Sequence, residues 1–83
     1  MDLQNRGRRV EKQQIVDRLL KTFADGKILA NDLTGGGDHW SVAIESSAFK
    51  GLSLVEQHQL VYKALGEWMQ GPIHALSLNT KAL

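Results

Sequence analysis

The chain has 83 residues, a formal net charge of +1 at neutral pH and no cysteine. A domain this short buries only about 60–65% of the surface of its unfolded chain, and without cysteine no disulfide can compensate for the thin stability margin. No apolar run is long enough to span a membrane and no hydrophobic leader core is present, so we expect a soluble cytoplasmic protein that does not bind membranes.

Residues 1–9 form a polar segment that carries Arg6, Arg8 and Arg9. We expect a flexible basic tail here, ahead of one domain that spans residues 10–83. Such a tail is either a solvated chain end or a basic arm that contacts an acidic partner.

The first helix is predicted from Val10 to Ala24, ahead of a stop at Asp25-Gly26. Its apolar residues recur three and four positions apart, which is typical of a helix that packs one face against a core. These residues are Val16, Leu19, Leu20 and Phe23.

Two strands are predicted next, from Lys27 to Leu33 and from His39 to Glu45. The second strand alternates apolar and more polar residues, which indicates one buried face and one wetter face. Its apolar positions are Trp40, Val42 and Ile44. The two strands lie close in sequence and are expected to pair as a hairpin.

The segment from Thr34 to Asp38 contains three consecutive glycines, Gly35, Gly36 and Gly37. Glycine-rich loops can cradle a phosphate, but no Gly-Lys-Ser/Thr follows, and the next element is a strand instead of a helix. The pattern therefore favours a mobile turn between antiparallel strands.

A tight connection from Ser46 to Gly51, with one helical turn anchored by Phe49, leads to a long helix. The helix begins at an S-x-x-E capping box made by Ser53 and Glu56, in which each side chain satisfies a free backbone N–H of the first turn.

The long helix is predicted to end at Gly71, which can adopt a left-handed conformation, and at Pro72, which cannot continue a helix. The residues from Ile73 to Leu78 then form a third strand. A strand, a helical crossover and another strand place strands two and three parallel to each other. The predicted fold is α+β, with element order α-β-β-(short turn or helix)-α-β and a three-stranded mixed sheet covered by helices on one face.

Three histidines are the candidates for special chemistry, and the topology separates them. His39 and His74 lie at the N-terminal ends of parallel neighbouring strands, and we therefore expect them at the same end of the sheet. His58 lies in the second turn of a helix that runs back against the strands, so it belongs near the opposite end. His74 shares strand parity with Leu76 and Leu78, which predicts that it leans toward the helices.

Three segments together resemble the BolA-like family: F-K-G-L-S at 49–53, H-Q-L-V-Y at 58–62 and I-H-A-L-S-L at 73–78. The resemblance extends back through D-H-W-S-V-A-I-E-S-S at 38–47 and covers the chain from about Val10 to Thr80. It implies the same fold, which is similar to a type II KH-like nucleic-acid-binding domain. One departure is that the family's mid-helix R-H-R is replaced here by Gln57-His58-Gln59.

The resemblance also implies a function. In BolA-like proteins the histidine of the late strand, His74 here, ligates a [2Fe–2S] cluster shared with a monothiol glutaredoxin and its glutathione. His39 is a less certain second ligand. Since the chain has no cysteine, it offers only imidazoles and carboxylates, and the missing thiolates must come from the partner. The implied role is an adaptor in iron–sulfur cluster trafficking or in iron, redox or stress regulation.

A DNA-binding regulator of stress response or morphology is the alternative that the family resemblance leaves open. The available cations are Arg6, Arg8, Arg9 and Lys50. The long helix carries a net charge of −1 from Glu56, Lys63 and Glu67, whereas phosphate contacts favour basic helices. An enzyme is not indicated, because there is no cysteine nucleophile and no recognisable Ser/His/Asp arrangement.

Overall fold

The computed structural model describes residues 10–83, and it has the predicted order of elements. The helices and strands are α1 (Lys12–Thr22), β1 (Lys27–Asp32), β2 (His39–Ser46), α2 (Leu54–Leu65) and β3 (Ala75–Ala82). Two 3₁₀ segments, Ser47–Phe49 and Gly66–Gln70, lie before and after α2. The predicted basic tail lies outside the described residues. Among residues 10–83, no helix combines the length and apolarity that a membrane crossing needs.

The three strands form one mixed sheet in the order β1-β2-β3. β1 pairs antiparallel to β2, with Lys27 opposite Glu45, and β2 pairs parallel to β3, with His39 opposite Ala75. The hairpin and the parallel crossover predicted from the sequence are both confirmed.

The core lies between the sheet and the helices. Along β2, Trp40, Val42 and Ile44 are each 1% exposed, while the residues between them face the open side and are only half-buried. α1 contributes Ile15 and Leu19 to the core, and α2 contributes Val61 and Leu65. The alternation in β2 therefore decides which face of the sheet the helices cover.

The first turn of α2 is held by the predicted capping box. The Ser53 hydroxyl accepts a hydrogen bond from the Glu56 N–H at 3.2 Å, and the Glu56 carboxylate accepts one from the Ser53 N–H at 2.8 Å. The backbone N–H of Ser53, and to a smaller extent its hydroxyl, lower the pKa of Glu56 by hydrogen bonding to the carboxylate. The capping box therefore satisfies backbone donors that a helix start otherwise leaves free.

Substituting Ser53→Ala should lower the free energy of unfolding by about 1 kcal/mol, because the N–H of Glu56 loses its acceptor. Urea denaturation followed by circular dichroism measures this change. An unchanged denaturation midpoint would show that the capping box does not contribute to stability.

The predicted end of the long helix at Gly71 is wrong. The α-helix ends at Leu65 because Gly66 adopts a positive φ of 59°, and the chain continues as a 3₁₀ segment to Gln70. Gly71 has a φ of −141°. The 3₁₀ segment still packs Trp68 and Met69 against the core, which explains why the apolar spacing suggested an unbroken helix.

Other predicted boundaries also shift. The first helix is shorter than Val10 to Ala24, and β1 ends one residue before Leu33. β2 reaches Ser46, and the third strand begins at Ala75 instead of Ile73. It also continues past Leu78 because β2 supplies partners as far as Ala82.

Asp25, in the turn between α1 and β1, joins this turn to the end of β2. Its carboxylate accepts hydrogen bonds from the Ser46 hydroxyl at 2.7 Å, from the Ser47 N–H at 3.2 Å and from the Ser47 hydroxyl. The Ser46 side chain is fully buried. The hydroxyl of Ser47 and then that of Ser46 are the main causes that hold the pKa of Asp25 below its usual 3.8.

The lowered pKa of Asp25 predicts acid sensitivity. A carboxyl whose pKa is depressed by folding stabilises the folded state above its unfolded pKa, and this contribution is lost as the pH falls through the folded pKa. The wild-type melting temperature should exceed that of Asp25→Asn by a constant margin from about pH 7 to about pH 5, and the margin should narrow below about pH 4. Thermal melts across this range test the expectation, which a margin independent of pH would contradict.

Candidate functional site

Two histidines meet at one end of the sheet. His39 is the first residue of β2, and His74 directly precedes β3. Their ring centroids are 5.4 Å apart, with 32° between the ring planes. His74 is exposed and His39 is half-buried. The predicted placement of both histidines at the same sheet end is confirmed.

The predicted orientation of His74 toward the helices is wrong. The strand begins one residue later, and the exposed imidazole lies beside His39, which belongs to the open face of β2. The backbone N–H groups of His74 and Ala75 both donate to the carbonyl oxygen of Asp38, at 2.7 and 3.1 Å. Because both N–H groups share this acceptor, the start of β3 is held beside Asp38, the residue that precedes β2.

Asp38 also places a carboxylate beside the histidine pair. Its Oδ2 lies 3.7 Å from Nε2 of His39, and its Oδ1 accepts a hydrogen bond from the Thr34 hydroxyl at 3.0 Å. The Thr34 hydroxyl is the main cause that lowers the pKa of Asp38, and the nearby charges of His39 and His74 lower it further. The site therefore has an ionised carboxylate next to two imidazoles at neutral pH.

The glycine-rich segment beside this site is closed by its own side chains. The Asp32 carboxylate accepts hydrogen bonds from the N–H groups of Thr34, Gly35 and Gly37, at 3.2, 2.9 and 2.9 Å. The indole N–H of Trp40 donates to the Gly37 carbonyl at 2.9 Å. The N–H groups that could have cradled a phosphate already bind Asp32, which supports a turn between antiparallel strands.

The donor set of the site is incomplete for a metal centre. It contains two imidazoles, and the whole sequence has no cysteine. No group of three or more histidine, cysteine, aspartate or glutamate side chains arranged to hold a metal ion occurs within residues 10–83. The pair could contribute one or two ligands to a centre whose other ligands come from another molecule.

His58 lies away from this pair, as predicted. The neighbouring Gln57 accepts a hydrogen bond from the Thr80 hydroxyl at 2.6 Å, which places this turn of α2 beside the C-terminal half of β3. His74 precedes the other end of that strand, roughly 20 Å from Thr80 along the chain direction at about 3.3 Å per residue. The half-buried His58 has a buried Nε2 with no hydrogen-bond partner in the described part of the chain.

Gln57 was not expected to have a role, but its side chain connects two elements. Its amide N–H donates to the Leu52 carbonyl at 3.1 Å while its oxygen accepts from Thr80. Both ends of the side chain are therefore engaged within the protein. Gln57 is uncharged and its side chain is engaged within the protein, so it offers no cation to a nucleic acid.

The candidate nucleic-acid residues are not brought together by the described structure. Lys50 is exposed in the connection before α2, and Arg6, Arg8 and Arg9 lie outside the described residues.

Since phosphate contacts dominate nonspecific affinity, we expect only weak DNA binding, without sequence preference, that depends on these arginines. Deleting residues 1–9 should abolish a gel shift at low salt. Tight binding by the shortened chain at physiological salt would contradict this expectation.

The segment that leads to His74 is held by contacts that were not predicted from the sequence. Arg18 of α1 donates to both carboxylate oxygens of Glu67, at 2.8 and 3.2 Å, and its guanidinium lies 4.2 Å from the ring centre of Trp68. The Ile73 N–H in turn donates to the Trp68 carbonyl at 2.9 Å. Because 49 positions separate Arg18 from Glu67, no local pattern announces this contact.

The sequence of this chain is similar to a known protein family. The sequence pattern of the BolA-like protein family matches residues 29–83. An uncharacterised protein of Rickettsia prowazekii is 35% identical over 71 residues, which cover 86% of this chain and 92% of that protein. BolA-like protein 1 of Mus musculus is 45% identical over 57% of this chain, and the matched region spans about a third (34%) of the mouse protein.

A solved structure shows the same architecture. The BolA domain of SufE1 from Arabidopsis thaliana superposes with a TM-score of 0.78 at 29% sequence identity, covering 88% of this chain and 94% of that domain. The residues that the family pattern matches include the histidine-bearing strands and the helix between them. The chain therefore belongs to the BolA-like family.

Proposed function

We propose that this protein is a non-catalytic adaptor that pairs with a monothiol glutaredoxin and shares a [2Fe–2S] cluster with it through His74. The observation that carries the proposal is the exposed imidazole of His74 next to His39, in a chain without cysteine. Family membership supports the choice of partner class.

The residues present fit a shared cluster and do not fit a self-contained one. Imidazole nitrogen is an established ligand for one iron of a [2Fe–2S] cluster, and the remaining ligands are commonly thiolates. When bound, such a cluster supplies one-electron chemistry and transferable iron and sulfide. This chain would supply His74, with His39 as the second candidate, while the partner and glutathione supply the sulfur ligands.

The surroundings of His74 support a positioned ligand. The Asp38 carbonyl accepts a hydrogen bond from the backbone N–H of His74, and the Asp38 carboxylate lies 3.7 Å from Nε2 of the neighbouring His39. An exposed imidazole on a backbone that is held in place can reach a metal on a partner surface without any rearrangement of the core.

The proposal places the protein in iron–sulfur cluster trafficking or in iron, redox or stress regulation. A domain that offers one or two ligands and needs a partner for the rest acts by association. The occurrence of a BolA domain inside SufE1 of Arabidopsis thaliana is consistent with a module that works beside other proteins.

Mixing experiments test this function. Reconstituted alone with iron and sulfide, the protein should show no visible absorption, because it has no thiolate to hold the cluster. Mixed with a cluster-loaded monothiol glutaredoxin, it should form a heterodimer whose visible circular dichroism differs from that of the glutaredoxin homodimer. If the glutaredoxin spectrum stayed unchanged and no heterodimer eluted on gel filtration, the proposed function would be wrong.

A further inference from the structure

The outer edge of β3 is long and open. The strand has eight residues, Ala75–Ala82, and within the described residues its only neighbour in the sheet is β2. An edge strand presents a row of backbone N–H and C=O groups that can pair with another strand. The edge of β3 is therefore a candidate interaction surface separate from the histidine pair.

The hydrogen bonds at both ends of the ladder show which groups point outward. The N–H of Ala75 donates to the Asp38 carbonyl, and the N–H of Leu83 donates to the Ser46 carbonyl, so both point toward β2. Backbone groups alternate in direction along a strand. The residues whose backbone N–H and C=O groups point away from β2 are therefore Leu76, Leu78, Thr80 and Ala82.

This edge lacks the features by which proteins usually prevent strand pairing. Edges are commonly protected by proline, by bulges or by charged residues. β3 contains no proline, pairs with β2 without interruption and carries one charged residue, Lys81, near its end. The other edge strand, β1, is shorter and has a charged residue at each end, Lys27 and Asp32.

We propose that β3 pairs antiparallel with β3 of a second copy of this chain, with Asn79 opposite Asn79 at the two-fold axis. In this register each outward residue meets an outward residue of the other copy, and the pair exchanges both hydrogen bonds. The two three-stranded sheets become one continuous sheet, in which the helices of both copies cover the same face.

The strand that pairs with this edge comes from a second copy of the chain, because β3 is complementary to itself in this register. On the helix-covered side, Leu78 lies opposite Thr80 and Leu76 lies opposite Ala82. On the open side, exposed Ser77 lies opposite the exposed Lys81 of the other copy. The two lysines are separated by about four residues along the strands, or roughly 13 Å, so no like charges face each other.

The dimer leaves both histidine sites accessible. His74 precedes β3, so in this arrangement the two copies carry their histidine pairs at opposite outer ends of the β3 pair. At about 3.3 Å per residue the two His74 positions are roughly 33 Å apart. A single strand pair is a small interface, and the dimer should therefore be weak and depend on concentration. The proposed dimer forms whether or not a [2Fe–2S] cluster is bound.

Two substitutions of Ser77, to glutamate and to lysine, should change the dimer dissociation constant in opposite directions. Ser77 is exposed, and its partner in the sheet is Ser41, so substitutions there spare the core. Ser77→Glu places a carboxylate opposite Lys81 of the other copy and should lower the dimer dissociation constant about five-fold at low salt, since symmetry makes two such pairs. Ser77→Lys places a second positive charge opposite Lys81 of the other copy and should raise the dimer dissociation constant by a similar factor. Sedimentation equilibrium of the full cluster-free chain measures both.

Asn31→Lys is the matched control, because it adds the same charge at an exposed position of the opposite edge strand. It should leave dimerisation unchanged. Amide hydrogen exchange should show concentration-dependent protection at Leu76, Leu78 and Thr80 that is absent from β1. A chain that stays monomeric at millimolar concentration would overturn the proposal, and so would a dimer that Asn31→Lys weakens and Ser77→Lys does not.

Discussion

Replacing His74 with alanine should abolish the change in visible circular dichroism that we expect when this protein meets a cluster-loaded monothiol glutaredoxin. The substitution removes the exposed imidazole that we propose as the cluster ligand. Because His74 is exposed and its structural hydrogen bond is made by the backbone N–H, the fold should be retained. The heterodimer spectrum should therefore revert to that of the glutaredoxin homodimer while the far-ultraviolet spectrum stays the same.

The other two histidines are matched controls for this experiment. His39→Ala should have a smaller effect, since His39 lies 5.4 Å from His74 between ring centroids but is half-buried. His58→Ala should leave the cluster spectrum unchanged, because His58 lies toward the opposite end of β3. Cluster-free association can survive all three substitutions, as surface contacts alone can dock the partners. A heterodimer spectrum preserved in His74→Ala would disprove the ligand assignment.

Replacing Trp40 with alanine should remove most of the free energy of unfolding and leave the protein only marginally stable at room temperature. The indole is 1% exposed, and its N–H donates to the Gly37 carbonyl at 2.9 Å. Truncating a buried aromatic side chain to alanine costs about 3–5 kcal/mol, which is a large part of the roughly 5–15 kcal/mol that stabilises a typical domain. For a chain of 83 residues with no disulfide, the lower part of that range applies.

Trp40→Phe is the milder companion variant. It keeps an aromatic ring in the core but loses the hydrogen bond to the glycine-rich segment and part of the packing. It should remain folded with a denaturation midpoint between those of the wild type and Trp40→Ala. Urea denaturation monitored by far-ultraviolet circular dichroism distinguishes the three chains. A folded Trp40→Ala with a wild-type midpoint would show that the core does not depend on this ring.

Local chemistry was sufficient to predict several features. The capping box of Ser53 and Glu56 acts between residues of one helical turn, and the alternation in β2 reflects the two-residue repeat of any strand. Strand direction follows from chain order, and it was enough to bring His39 and His74 to one sheet end. Each of these features depends on residues close in sequence or on a general rule of connection.

The end of α2 and the side that His74 faces were harder to predict, because the sequence fits more than one local structure at each place. Gly66 and Gly71 both offer a possible helix end, and the apolar residues between them fit either an α-helix or a 3₁₀ segment. Packing of Trp68 against Arg18 and the core accompanies the earlier end. The side that His74 faces was likewise mistaken, because strand parity applies only after the strand has begun at Ala75.

By itself the sequence determined the order of elements, the buried face of β2, the start of α2 and the meeting of two histidines, because periodicity and connection rules act locally. Only the tertiary structure decided how distant polar groups pair: Arg18 with Glu67, Asp25 with Ser46, and Gln57 with Thr80. These partners lie 21 to 49 positions apart. Many polar side chains could have formed such contacts, and packing of the core selects the few that meet at hydrogen-bonding distance.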